Sequence, residues 1–172
     1  MPKIDDSREF IPVNIAILTV SDTRSSADDR SGDALSARAI GDGHVVIDRS
    51  IVKDEVSLIL KKLDYWINNP AIDVIISTGG TGFTGRDVTP EAFKAVFEKE
   101  IEGFGELFRW ISYQKIGTST IQSRAVAGVA KGTYLFALPG STGACTDAWD
   151  GILHNQLDIR HRPCNFVEIM PR

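Results

Sequence analysis

Three short runs, residues 14–20, 73–77 and 133–138, are apolar almost without polar alternation, and each ends in a cluster of Gly, Pro, Ser, Thr or Asp. A strand wet on one side alternates apolar and polar residues, whereas a parallel strand covered on both faces reads as one continuous apolar run. Residues 44–51 form a fourth, weaker strand signal. Between the strands lie helical periods: Val56, Ile59, Leu60, Leu63 and Ile67 share one face, and Phe93, Val96, Phe97 and Ile101 share another. Residues 103–117 and 141–159 continue as helices, the last turning Ala144, Ala148, Ile152 and Leu157 inward. Residues 7–12 and the tail after Pro163 read as irregular or edge segments. Buried strands alternating with helices predict a doubly wound α/β fold, in which ligands bind outside the carboxyl ends of the strands.

Length and composition set the outer limits. The chain has 172 residues, 42% hydrophobic and 24% charged, which suits one domain over residues 14–172 behind an N-terminal extension, residues 1–13. Cys145 and Cys164 are too few for a disulfide framework and lack CxxC spacing. No apolar run approaches the roughly 18 residues of a membrane span, and the start is acidic where a signal peptide is apolar. A cytoplasmic protein is expected. A net charge of −4 without long blocks of one sign gives no reason to expect nucleic-acid or membrane-surface binding.

The loops after the strands carry the chemistry. Thr78-Gly79-Gly80-Thr81-Gly82 opens a segment that runs through Arg86, Asp87, Val88, Thr89 and Pro90. Its glycines let backbone N–H groups approach an anion, and its threonines add hydroxyl donors. Gly80, Gly82 and Gly85 spell GxGxxG, but Thr89 as N-cap before Pro90 places the helix start too late for a dinucleotide site. Pro139-Gly140-Ser141 is a second anion loop, with Ser141 or Thr142 as helix cap. Ser21-Asp22, followed by Asp29, Ser31 and Gly32, marks a third strand end. A carboxylate beside a phosphate cradle repels its ligand unless a cation lies between them, so Asp87 points to magnesium. Asp54, after the weaker strand, is either its partner carboxylate or a helix N-cap.

These strings, with Gly103-Phe104-Gly105-Glu106, Ile116 to Thr120 and Ser123 to Gly128, resemble the MogA/MoaB family of molybdenum-cofactor biosynthesis, and its MoaB branch in particular. The resemblance implies a three-layer α/β/α sandwich with a mostly parallel sheet that binds molybdopterin. It also implies a homotrimer or homohexamer, a partner protein for molybdate insertion, and, in active members, adenylylation of the pterin's terminal phosphate by Mg-ATP. Carried over, Asp54 and Asp87 match the aspartates tied to activity. Thr78 to Gly82 and Pro139 to Ser141 would hold the pterin and its phosphate. Ser21, Asp22, Asp29, Ser31 and Gly32 match a motif around the nucleotide and substrate pocket, and Glu106 a position near the pterin. The chain departs from the MogA branch in having Ser141-Thr142 where a second proline is usual. A non-catalytic molybdopterin-binding paralogue or carrier is the alternative. A dinucleotide-dependent oxidoreductase would need an acidic ribose-binding residue at the next strand end.

The remaining conspicuous residues read as structural. His161 and Cys164 lack further ligands for a metal. Cys145 falls on a buried helix face. Trp66, Trp110 and Trp149 suit a core or subunit interface, and Arg160 and Arg162 a solvated face or an intersubunit ion pair.

Overall fold

The computed structural model describes residues 1–171. In chain order the elements are β1 (Lys3–Ile4), β2 (Asn14–Val20), α1 (Arg30–Gly41), β3 (Val45–Val52), α2 (Val56–Ile67), β4 (Val74–Thr78), α3 (Thr89–Val96), β5 (Lys99–Glu100), α4 (Glu102–Ile116), β6 (Val126–Ala130), β7 (Thr133–Leu138), α5 (Thr142–Ala148), α6 (His154–Gln156) and β8 (His161–Arg162). The main sheet runs β3-β2-β4-β7-β6-β5. Its first four strands are parallel, and β6 and β5 are antiparallel to their neighbours.

Helices cover both faces of the sheet, and the strands sort their side chains with a period of two. From β2, Ile15 and Ile17 enter a core with Leu35 of α1, Phe108 of α4 and Ala148 of α5. Ala16, Leu18 and Val20 enter the opposite core with Ile59, Leu63 and Trp66 of α2 and Phe93 of α3. Each fully buried Leu, Ile or Phe in these layers contributes about 1.5–3 kcal/mol, which is why β2, β4 and β7 tolerate no polar alternation. The Trp66 indole N–H donates to Asp48 Oδ2 at 2.8 Å, so its burial leaves no orphaned donor.

Several expectations are corrected. The helix read across Phe93 to Ile101 stops at Val96, and Phe97 is extended at φ −65°, ψ 129°. Phe97 packs over Gly128, where an added Cβ would come within 2.4 Å of its ring, and Lys99–Glu100 then pairs with β6. Thr89 does not cap α3, since Val88 holds that position. Asp54 does not cap α2 either, because Glu55 occupies the N-cap. The last helix ends at Gln156, after a π-helical turn over Trp149–Leu153. Arg160 and Arg162 form ion pairs within the chain, with Asp158 and with Asp5 and Glu168. Trp66 and Trp149 are core residues, whereas Trp110 is 64% exposed.

His44 links the N-terminal segment to the core. Its Nδ1 accepts from the Val13 N–H at 3.2 Å, and its ring lies between Phe10 and Trp149. Burial holds its pKa below the ordinary 6.5, against opposing charges on Asp42 and Asp158 and with a small added push from His154. The unfolded chain therefore takes up this proton first. Its contribution to stability is complete above pH 6.5 and is lost as pH falls below that value toward the depressed folded pKa. Urea unfolding at pH 7.5 and 5.5 tests this: the loss of stability on acidification should shrink in His44→Gln, and an unchanged loss would reject it.

Candidate functional site

The carboxyl ends of β2, β3, β4 and β7 bring the predicted loops together. Ser21, Ser31, Asp54, Thr78, Gly79, Gly80, Gly140 and Ser141 line one cavity of about 360 Å³. Gly80, Thr81, Gly82, Asp87, Pro139, Gly140 and Ser141 line a second of about 390 Å³, whose wall includes Phe108, Ile116 and Ala144. The two share Gly80, Gly140 and Ser141, so they are adjoining lobes. One lobe is walled by hydroxyls, glycines and charge, and the other includes apolar side chains.

Local chemistry explains the close fit of these loops. Gly79 takes φ +103° and Gly80 φ +68°, conformations that side chains with a Cβ rarely adopt. A Cβ on Gly140 would lie 3.3 Å from the Gly79 Cα, and the Gly79 N–H donates to Leu138 O at 3.0 Å. The Thr78 hydroxyl donates to Pro139 O at 3.1 Å, locking the β4 and β7 loops together. Beneath them, burial raises the Cys145 thiol to about 11, and its Sγ lies 3.2 Å from Thr78 Oγ1. Cys145 is therefore a packing residue rather than a nucleophile.

The two aspartates differ in how they are held. Asp87 Oδ2 accepts from the Thr84 N–H at 2.9 Å and the Thr84 hydroxyl at 2.5 Å, closing the glycine-rich loop on itself. The Thr84 hydroxyl, backbone N–H groups and the Arg124 charge hold its pKa low against burial. Among the described residues no side chain donates to the Asp54 carboxylate. Burial raises its pKa and the Asp22 charge adds to the rise; the Arg86 charge and the Asp22 backbone N–H oppose it, and Asp87 adds a smaller push upward. Beside it, the hydroxyl of fully buried Thr89 has no hydrogen-bond partner among the described residues; an added Cβ on Gly80 would lie 2.3 Å from this oxygen and 3.0 Å from Asp54 Oδ1.

Four predicted positions line neither lobe. Asp22 is exposed and bound by both ends of the Arg86 guanidinium, at 2.9 and 2.7 Å, while accepting from the Asp54 N–H. Asp29 is the N-cap of α1 and 2% exposed, bonded by Gly32 N, Thr19 Oγ1 and Arg49. Gly32 is glycine because a Cβ there would strike the Asp29 carboxylate at 2.1 Å. Glu106 lies in a separate cleft of about 510 Å³ with Glu91, Arg109 and Arg124.

Three arginines at the site were not singled out from sequence. Arg24 lines the polar lobe. Arg86 ties the tip of the glycine-rich loop to Asp22 across the sheet edge. Arg124 clamps the same loop, donating to Gly82 O at 2.8 Å and Asp87 O at 2.7 Å and pairing with Glu91. The usable signal was positional, since Arg24 follows Ser21 and Asp22 directly after a buried strand. Among the described residues no cluster of three or more His, Cys, Asp or Glu could hold a metal by itself, and no helix is long and apolar enough to cross a membrane.

Comparison with known proteins agrees with this architecture. Residues 16–159 match the family described as "Probable molybdopterin binding domain". Molybdenum cofactor biosynthesis protein B of Escherichia coli K12 is 53% identical over 160 residues, covering 93% of this chain and 94% of that protein. Its namesake from Staphylococcus epidermidis is 45% identical over 150 residues, 85% of each chain. A crystal structure of a molybdenum cofactor biosynthesis protein B superposes with TM-score 0.85 at 40% identity, covering 87% of this chain and 94% of that one. The tungsten cofactor synthesizing protein MoaB from Pyrococcus furiosus superposes with TM-score 0.75 at 34% identity, covering 83% and 91%.

Proposed function

Because the chain belongs to the MoaB/MogA family of molybdenum-cofactor biosynthesis proteins, which carry the molybdopterin-binding domain, we propose that it adenylylates the terminal phosphate of molybdopterin with Mg-ATP. The observation that carries this reading is Asp54, a carboxylate inside a cavity of glycine amides and hydroxyls that accepts from no side chain among the described residues and stands close to the Asp22 and Asp87 charges, with Arg86 opposing them. Magnesium takes one or two carboxylates together with phosphate oxygens, so a site with fewer than three protein ligands fits it. Asp54 would hold the ion, with Asp87 lending charge from the adjoining lobe. When bound, magnesium supplies positive charge to phosphate oxygens.

The chain's own residues supply binding and alignment. In the reaction, a phosphate oxygen of molybdopterin attacks the α-phosphorus of ATP and pyrophosphate leaves. The attacking phosphate is already ionised, so no strong base is required, and none is offered by the buried Cys145. The demand is to hold two polyanions in line. Backbone N–H groups of the glycine loops are fixed before the ligand arrives, which avoids reorganisation during transfer. The lobe with Phe108 and Ile116 in its wall suits the flat pterin, and the polar lobe suits phosphate.

An assay with purified protein, molybdopterin and Mg-ATP, following pyrophosphate and adenylylated pterin, tests the reading. Tight molybdopterin binding without product, under conditions where an active family member turns over, would make the chain a binding paralogue or carrier.

We also propose that the chain self-associates as a trimer or hexamer through α4. Leu107, Trp110 and Tyr113 recur every three residues on its outer face and are 43%, 64% and 53% exposed, with Ile121 nearby at 73%. Apolar exposure of this kind marks an interface. Light scattering should show Trp110→Glu falling to the 18.8 kDa monomer. A wild type that already runs at that mass would reject the interface.

A further inference from the structure

Among the described residues Arg24 is the only cationic side chain in the wall of the polar lobe. Most arginines of the described chain are matched with carboxylates: Arg8, Arg38, Arg49, Arg86, Arg124, Arg160 and Arg162 each have one within the 4.0 Å of an ion pair. Arg24 has none. Its guanidinium donates instead to two neutral acceptors on different elements, Ser31 Oγ in the first turn of α1 at 2.7 Å and Gly140 O in the loop between β7 and α5 at 3.2 Å. Its backbone N–H donates to Ser21 Oγ at 3.2 Å, which fixes the base of the side chain. Asp54 lines the same lobe yet forms no ion pair with it, and Asp28 feels the Arg24 charge more weakly than its own bonds to Ser25.

A half-buried guanidinium held by neutral oxygens retains its full charge and spare N–H donors, since five are available and two are committed to these acceptors. Holding a cation in a partly desolvated wall without a counterion is unfavourable unless an anion completes it. The hydroxyls and glycine amides around it supply O–H and N–H donors that suit oxygen anions.

We propose that Arg24 is a specificity-determining residue of this site, binding the phosphate of the ligand, a phosphate monoester or the end of a polyphosphate, by charge-assisted hydrogen bonds from its free N–H groups. The proposal rests on the phosphate-binding reading of the lobe but does not require adenylyl transfer. It also assigns the Ser31 hydroxyl and Gly140 carbonyl a positioning role, since together they span the lobe and aim the fork.

Titration calorimetry with sodium pyrophosphate, ATP and adenosine on wild type, Arg24→Gln and Arg24→Lys tests it. Arg24→Gln should weaken pyrophosphate and ATP by about 10- to 100-fold, the range of a lost hydrogen bond to a charged group, and leave adenosine unchanged. Arg24→Lys should recover part of the loss, because it keeps the charge and loses the fork. A purely structural staple would instead weaken all three probes together, with Lys no better than Gln. That result, equal pyrophosphate binding by wild type and Arg24→Gln, or no pyrophosphate binding by wild type would each overturn the proposal. Arg24-dependent pyrophosphate binding in a protein that forms no adenylylated pterin would sink the transferase reading and leave this one standing. Where turnover is present, a raised KM for molybdopterin alone assigns Arg24 to the pterin phosphate, and a raised KM for ATP alone assigns it to the nucleotide.

Discussion

Replacing Asp54 by Asn is expected to lower pyrophosphate release from molybdopterin and Mg-ATP by about 10²-fold or more while leaving the fold at least as stable at neutral pH. The two halves of this result have one cause. Burial and the neighbouring charges of Asp22 and Asp87 raise the Asp54 pKa, so the folded protein binds this proton more tightly than the unfolded chain. The resulting penalty is absent below the unfolded value of 3.8 and complete above the raised folded value, which means that the ionised carboxylate is a burden on stability at pH 7. Asn keeps the shape and removes the charge. Thermal melts at pH 7 should therefore rise slightly as activity disappears. Asp87→Asn should cost less, because an Asn Oδ1 can still accept from Thr84 and hold the loop closed. Full activity in Asp54→Asn, with unchanged magnesium dependence, would remove Asp54 from the proposed site.

The uneven legibility of the chain has a physical basis. Asn14–Val20 and Thr133–Leu138 could be read to the residue because burial on two faces leaves no alternative pattern. Val126–Ala130 could not, since Ala, Gly and Val give little periodicity and the strand sits near the sheet edge, paired antiparallel to β7 and to the two-residue β5. Its signal was the turn, where Lys131 and Gly132 take φ +49° and +81° between two apolar runs, the geometry of a tight hairpin. Phe97 misled because Phe93, Val96, Phe97 and Ile101 fit a helical period while the chain turns extended to place an aromatic ring against Gly128. At the site, glycine-rich loops after buried strands were visible because strand ends in such sheets converge. Which loop residues face the cavity was not visible. Asp29 and Gly32 stand in the same motif as Ser31, yet Asp29 turns inward to cap α1 while Ser31 lines the lobe.

The second large effect concerns backbone rather than charge. Gly79→Ala should destabilise the protein by about 2–4 kcal/mol and abolish ligand binding. At φ +103° any Cβ is strained, and here it would also lie 2.2 Å from Val20 O, on a neighbouring strand end that has no flexible side chain to give way. Relief requires β4 to part from β2, or the Gly79 N–H to leave Leu138 O, and either movement opens the joint at which both lobes meet. For a domain of this size the melting temperature should fall by roughly 5–15 °C. Gly143→Ala, one loop away, is the control: nothing lies within 4 Å of its added Cβ and it sits in α5, so the substitution should raise stability by up to about 1 kcal/mol. The opposite signs separate a glycine required by close approach from one that merely occupies a helix. A Gly79→Ala protein that melts with wild type and binds molybdopterin normally would show that the β2 and β4 ends can part without cost, and the pre-set cradle on which the transferase reading depends would not exist.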